Sequence, residues 1–498
     1  METQDRGDDV TALPLLAQRA LSRDPARRAL EFDGHWYNWG DIRQVADAVA
    51  TLIESAGVAP LAPIGLVARN RPAMIAALIG LLAAGRSVQM IYAFQSPAVI
   101  ARDIEKLRPA AVVMLSQDRT DPVDAALATQ GIAAIVLDDM SATLAPGRER
   151  ANNQNSALCE EAQIQVLTSG TTGPPKRFPI PFDMIARHHI GGAGAQTATP
   201  EDELPVLLFY PLGNISGIYS TIPTMLRGRA VSLLDRFSLD AWHQFILRYR
   251  PTASGIPPSA FRMLLDSDIP PEDLSSLHAM NSGAAPLDPL LQRAFEEKYR
   301  IPVLVSYGAT EFGGPVAAMT LDLARTYGTA KTGSVGRAMA GARLQIIDPA
   351  TGDTLPPGKE GLLEVATPRV GPDWIRTSDI ALIDEDGFLF IRGRADGAII
   401  RGGFKMLPET IERALLEHAS IGAAAVIGVT DSRLGHVPAA AIQLKAGARA
   451  MTENEAEAHL RDHLPATHIP VHWRFVEDLP KNPSMKIDRP AVARLFEA

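Results

Sequence analysis

Hydrophobic positions along this chain switch period repeatedly. Residues 39–56 carry apolar side chains at helical spacing, and Ile64-Gly65-Leu66-Val67 is a short apolar run with the character of a strand. Pro72 then opens an Ala-rich apolar stretch, at a place where the first turn of a helix tolerates proline. Residues 110–115 and 132–137 read as buried strands, and Ile164-Gln165-Val166 as another. Strands alternating with helices predict a largely parallel sheet covered on both faces. A second α/β run spans 204–305. From 333 to 390 the texture becomes short strands and turns, including Asp384-Glu385-Asp386-Gly387, which predicts a small β-rich subdomain. Residues 142–156 are polar and read as a connector.

The charged, glycine-flanked segment Gly393-Arg394-Ala395-Asp396-Gly397 reads as a boundary. Beyond it, about a hundred residues suffice for a compact α+β domain, with helices expected near 408–417 and 453–464. The expected organisation is a loose tail over 1–10, a large multi-subdomain α/β N-terminal domain over 11–395 with parallel-rich sheets, and a small α+β C-terminal domain over 396–498.

Composition narrows the class. The chain has 498 residues, too many for one ordinary core. A net charge of −9 argues against a nucleic-acid partner. The single cysteine, Cys159, excludes an internal disulfide framework and fits a reducing, cytoplasmic compartment. Residues 73–84 form the most membrane-like stretch, but it is too short to span a bilayer.

Chemistry concentrates in a few segments. Thr168-Ser169-Gly170-Thr171-Thr172-Gly173-Pro174-Pro175-Lys176 combines glycines that let backbone N–H groups approach an anion, hydroxyl donors and one mobile cation. It is not the common P-loop, which needs lysine directly after the second glycine. Residues 352–359 fail that pattern too. Ser306-Tyr307-Gly308-Ala309-Thr310-Glu311 follows an apolar strand, where ligands bind in open α/β sheets. Trp374-Ile375-Arg376-Thr377-Ser378-Asp379 offers a carboxylate suited to sugar hydroxyls. Lys486 lies on a proline-bounded loop near the C-terminus. His188-His189 reads as surface, because adjacent side chains diverge. Lys331-Thr332-Gly333 reads as a loop, and no Gly-x-Ser-x-Gly element of a serine hydrolase occurs.

Taken in order from Thr168 to Arg489, these segments resemble the adenylate-forming enzymes: acyl- and aryl-CoA synthetases, firefly luciferase and the adenylation domains of peptide synthetases. The resemblance implies that Ser169, Gly170, Thr171, Thr172, Gly173 and Lys176 hold the β- and γ-phosphates of ATP. It implies that Thr168 and Glu311 position Mg²⁺, and that Thr310 contacts the α-phosphate. Gly283, Ala284, Ala285 and Tyr307 would form the adenine slot. Asp379 and Arg394 would bind the ribose. Asp396 would be the hinge of a mobile C-terminal domain, and Lys486 the catalytic cation. Gly402 and Gly403 would line the tunnel for coenzyme A.

The chain departs from the family pattern in places. Asn214, in Pro211-Leu212-Gly213-Asn214-Ile215-Ser216-Gly217, stands where histidine or an aromatic is usual. Ser378 and Met485 stand where glycine is frequent, and Thr410 and His436 where acidic residues are frequent. No aspartate lies between Tyr210 and Gly217 to hold a substrate amine, which disfavours an amino-acid substrate. The expected pocket positions Asn214, Ile218, Ser282, Gly283, Gly308 and Gly313 are small or apolar, suiting an aromatic, cyclic or medium-chain acid. With no carrier domain expected after Arg489, free coenzyme A is the expected acceptor; the alternatives are delivery to a separate carrier protein and a non-catalytic adenylate-binding protein. The reading allows a monomer or a homodimer.

Overall fold

The computed structural model describes residues 12–152, 158–167, 177–190, 204–401, 404–431, 434–483 and 485–497. They fall into two compact units, divided between Phe245 and Ile246.

The first unit is built on a seven-stranded sheet. Its strands run in the spatial order Ser141–Leu144, Ala133–Asp138, Ala111–Leu115, Ile64–Ala68, Val88–Tyr92, Gln163–Leu167 and Arg177–Pro181. The five inner strands are parallel, and the two outer ones pair antiparallel. Side chains of one strand alternate between two cores, as strand geometry requires. Leu66, Met90 and Val113 pack with the helices Trp39–Ser55 and Pro72–Ala83. Val67, Ile91 and Val112 pack instead with Ile104, Ala126 and Leu127 from the helices Pro97–Leu107 and Asp121–Gln130. This is the doubly covered parallel sheet that the apolar runs predict.

The helix Pro72–Ala83 is buried on all sides over residues 72–82, so its hydrophobicity is that of a core helix. Gly80 permits its close contact with Trp39–Ser55. A Cβ there would come within 2.8 Å of the Ala46 backbone. The helix Trp39–Ser55 begins with a capping box, in which Asn38 and Asp41 exchange side-chain-to-backbone hydrogen bonds. Within 142–156, part of the expected connector is strand: Ser141–Leu144 folds back on Ala133–Asp138. The local alternation Ser-Ala-Thr-Leu was sufficient for an edge strand, and the polar composition hid it.

A four-stranded sheet completes this unit, in the order Val206–Leu208, Val231–Leu233, Arg28–Phe32, His35–Asn38.

The second unit contains three sheets. In the first, Ala253–Gly255, Ala279–Ser282 and Val303–Ala309 are parallel, and Gly314–Ala318 and Arg337–Ala338 continue it antiparallel. The second is the expected β-rich subdomain: Arg343–Ile347, Gly361–Thr367, Gly371–Ile383 and Leu389–Arg394, all antiparallel. Its predicted turn closes with Gly387 N–H donating to the Asp384 carbonyl, Gly387 at φ +80°. The third sheet uses strands from Ile399 onward, in the order Phe404–Met406, Ile399–Arg401, Gly435–Leu444, Ile421–Asp431, with His472–Val476 beside Gly435–Leu444. It has its own core, including Ile411, Val426, Leu460 and Trp473. The two helices expected there are Pro408–Leu416 and Glu453–Arg461. The expected boundary at Asp396 thus lies inside the second unit, between two of its sheets.

Candidate active site

In the second unit, the parallel strands Ala279–Ser282 and Val303–Ala309 end at the same edge, with Ser282 opposite Val305. Their continuations, Gly283-Ala284-Ala285 and Ser306 to Thr310, therefore lie side by side. A Cβ on Gly283 would come within 2.8 Å of Ser306 Oγ and would displace that hydroxyl. Ala284 adopts φ +65°, a left-handed conformation uncommon for a residue with a side chain. Gly308 is pressed against Gly314 and Pro315, where a Cβ would collide with backbone, and Gly313 takes φ +64°. Thr310 and Glu311 form a short 3₁₀ turn, Thr310–Phe312, with Glu311 exposed. Ser282 is buried and donates to the Ile256 carbonyl.

The β-rich subdomain supplies the other half of this site. Asp379 and Arg394 are register partners on neighbouring strands, and Arg394 Nη1 lies 3.6 Å from Asp379 Oδ1. The Tyr307 hydroxyl donates a hydrogen bond to Asp379 Oδ2. Arg394 also donates to Ser378 Oγ and pairs with Asp396 at 2.7 Å. Burial pushes the Tyr307 phenol up, and the adjacent Asp379 charge pushes it further. Burial also raises Asp379, against the lowering effects of the Tyr307 hydrogen bond and of Arg394. An aromatic face, a carboxylate and a guanidinium thus meet at a strand edge, a set able to hold a base and a diol. Ser378, read only as a replacement for glycine, is a partner of Arg394.

Lys486 lies in the same unit, half-buried, and burial pushes its ammonium below the ordinary lysine range. It belongs to a tight loop in which Lys481 and Ile487 form a bridge, Asn482 N–H donates to the Lys486 carbonyl, and Met485 N–H donates to the Asn482 carbonyl. Met485 takes φ +60°. Glycine would adopt this conformation at lower cost than methionine.

Asn214 and Ile218 belong to the first unit, at and just inside the start of the helix Ile215–Leu226; Ile218 is fully buried. Their segment is held by a residue that sequence reasoning missed. Asn70, only 2% exposed, donates to the carbonyls of Tyr210 and Leu234 and accepts from the Leu212 N–H, at 2.9–3.1 Å. A lone asparagine after a strand carries no sequence signal of that role. Burial pushes the neighbouring Tyr210 phenol up to about 12.

Thr168, Ser169, Gly170, Thr171, Thr172, Gly173, Lys176, Gly402 and Gly403 lie outside the described residues. Of the two residues expected at Mg²⁺, only Glu311 is described. One exposed carboxylate suits an ion held mainly by substrate phosphates and water. His188 is exposed, and the half-buried His189 stacks on Tyr219 at 3.8 Å between ring centroids. Lys331 is held by Asp384 and Asp386, which makes it a structural cation of the turn. Among the described residues, no helix is long and apolar enough to cross a membrane.

A parallel-rich α/β fold with an aromatic, a carboxylate and a guanidinium gathered at one strand edge is an arrangement that a nucleotide-binding enzyme can use. The AMP-binding enzyme family matches residues 17–372, and the AMP-binding enzyme C-terminal domain matches 410–486. The chain belongs to the AMP-binding enzymes. It is 27% identical over 480 residues to the 2-succinylbenzoate–CoA ligase of Bacillus pumilus, covering 93% of this chain and 94% of that protein. It is 27% identical over 481 residues to 4-coumarate–CoA ligase 2 of Nicotiana tabacum, covering 91% and 88%. The solved structure of ATP-bound MatB from Rhodopseudomonas palustris shares the fold, with a TM-score of 0.80 and 22% identity over 98% of this chain and 99% of that one.

Proposed function

We propose that this chain is an ATP-dependent carboxylic acid–CoA ligase acting on an aromatic, cyclic or medium-chain hydrophobic acid. The observation that carries the nucleotide half is the meeting of Gly283–Ala285, Tyr307, Asp379 and Arg394 at one strand edge. The acid class is supported by the small residues Ser282, Gly308 and Gly313 along that strand edge, and by relatives named for 2-succinylbenzoate and 4-coumarate.

In the first step a carboxylate oxygen of the acid attacks the α-phosphorus of ATP. The new acyl–oxygen–phosphorus linkage forms as the α–β bridge breaks, and pyrophosphate leaves. Tyr307 covers the adenine, and its hydrogen bond to Asp379 gives way to the ribose hydroxyls. Ser169 to Lys176 cradle the β- and γ-phosphates, and Thr310 donates to the α-phosphate. Lys486 stabilises the negative charge that the reaction gathers, so that deleting its charge costs roughly 3 kcal/mol in this step. Mg²⁺, held at Thr168 and Glu311, would neutralise phosphate charge.

In the second step the C-terminal domain turns about Asp396, Lys486 withdraws, and Gly402-Gly403 line the thiol path. The thiolate of coenzyme A attacks the acyl carbon, and AMP leaves with the electron pair of the broken bond. Asn214, smaller than an aromatic and non-titrating, would make a weaker gate than histidine or would hold the acid differently. A cytoplasmic setting, suggested by the single cysteine, belongs to the same reading.

Mass spectrometry of reactions with Mg-ATP and 2-succinylbenzoate, 4-coumarate, benzoate, cyclohexanecarboxylate or octanoate, with and without coenzyme A, tests it. An acyl-adenylate that becomes acyl-CoA on adding the thiol is the expected result. An adenylate that persists despite coenzyme A would move the acceptor to a carrier protein, and no product from any acid would overturn the proposed substrate class.

A further inference from the structure

The loop carrying Lys486 is anchored to a helix remote in sequence. Ser259, in the first turn of Pro258–Leu265, donates from Oγ to the Met485 carbonyl at 2.9 Å, across 226 positions. That carbonyl belongs to the peptide joining Met485 to Lys486. Inside the loop, Lys486 N–H donates to Asn482 Oδ1 at 3.1 Å, and the Lys486 carbonyl accepts from Asn482 N–H at 2.8 Å. The loop is therefore a small self-bonded body. Its left-handed Met485, disfavoured in a residue with a Cβ, presents its carbonyl to the Ser259 hydroxyl. A bond at this peptide fixes the base of the Lys486 side chain, and so the volume its ammonium can reach.

We propose that Ser259 is a positioning residue for adenylate formation: its hydroxyl captures the Met485–Lys486 peptide and sets Lys486 for the first step. The proposal rests on the reading of Lys486 given above. Because Lys486 leaves the site before the thiol attacks, the bond breaks in the second step. Ser259 therefore acts on one half-reaction and is silent in the other. A residue that merely stabilised the fold would affect both alike.

The two half-reactions are measured separately, with the panel acid that gives the strongest adenylate signal. Acid-dependent ATP–pyrophosphate exchange reads the first, and single-turnover conversion of presynthesised acyl-adenylate plus coenzyme A reads the second. Ser259→Ala is expected to lower kcat for exchange about ten-fold, the worth of one hydrogen bond. KM for ATP and the thioester rate should stay within about two-fold of wild type, because Ser259 is proposed to act on the first step only through the placement of Lys486 and not by binding ATP or the thiol. Ser259→Thr, which keeps the hydroxyl, should restore most of the loss. Ser259→Cys, close in shape but a weak donor, should behave like alanine and serves if the alanine variant is unstable. Lys486→Ala is the control. If it slows exchange and Ser259→Ala and Ser259→Cys do not, the positioning role is wrong and the reading of Lys486 stands. If Lys486→Ala leaves exchange intact, that reading falls. Equal slowing of both half-reactions by Ser259→Ala, or no recovery with threonine, would also overturn the proposal.

Discussion

Glu409 shows how one residue can depart from its expected chemistry. It lies in the first turn of Pro408–Leu416, with one carboxylate oxygen 3.4 Å from Arg489. The other oxygen is buried with no hydrogen-bond partner among the described residues, close against Gly393. Burial pushes the carboxyl above the ordinary glutamate range, the neighbouring Glu412 adds to this, and Arg489 opposes it. The folded protein thus holds this proton more tightly than the unfolded chain. Stability should fall as pH rises from the ordinary carboxylate range through the raised pKa, and the loss is complete above it. Glu409→Gln abolishes that titration. Its melting temperature relative to wild type should rise with pH between pH 4 and 8, with a gain of about 1 kcal/mol at the upper end. A variant less stable than wild type at pH 8 would mean that the ion pair with Arg489 outweighs the burial cost.

Among elements, the joint made by Asn70 has the clearest energetic consequence. It follows the strand Ile64–Ala68, and its partners follow the strands Val206–Leu208 and Val231–Leu233, so one amide joins the ends of strands from two sheets. Asn70→Ala leaves two carbonyls and one N–H in a closed space, and should cost about 2–4 kcal/mol in urea unfolding. Asn70→Asp should cost more. It keeps an acceptor for the Leu212 N–H but turns a carboxylate towards the carbonyls of Tyr210 and Leu234. Equal urea midpoints for the three proteins would remove Asn70 from this role. The elements themselves were legible in the chain. The helix at 39–55 and the strand at 64–68 follow from period alone, whereas the edge strand Ser141–Leu144 was masked by polar composition.

For the whole molecule, the proposed alternation turns on Asp396, between the sheet ending at Arg394 and the sheet beginning at Ile399. Asp396 is paired with Arg394, which in turn is held by Ser378 and Asp379, so turning there disturbs the cluster proposed to hold the ribose. Proline fixes φ near −65° and removes that rotation. Asp396→Pro should retain ATP–pyrophosphate exchange within about ten-fold of wild type and lose thioester formation by at least about a hundred-fold, since effects on a gating step fall on one half-reaction. Equal rates of thioester formation in variant and wild type would remove the hinge from Asp396.

By itself the sequence determined the alternation of helices and buried strands, the β-rich stretch, the separate C-terminal sheet and the identity of most proposed site residues. These are properties of local period, turn chemistry and residue type, and they survive without knowledge of the partners. The tertiary structure decided which of those residues meet. Tyr307 reaches Asp379 across 72 positions because one strand of a parallel sheet ends beside an antiparallel sheet, and Arg394 faces Asp379 because of strand register. Asn70 and Ser259 carried no pattern at all. Their roles come from hydrogen bonds to backbone groups 140 to 226 positions away, and a backbone group has no sequence signature by which its partner could be read.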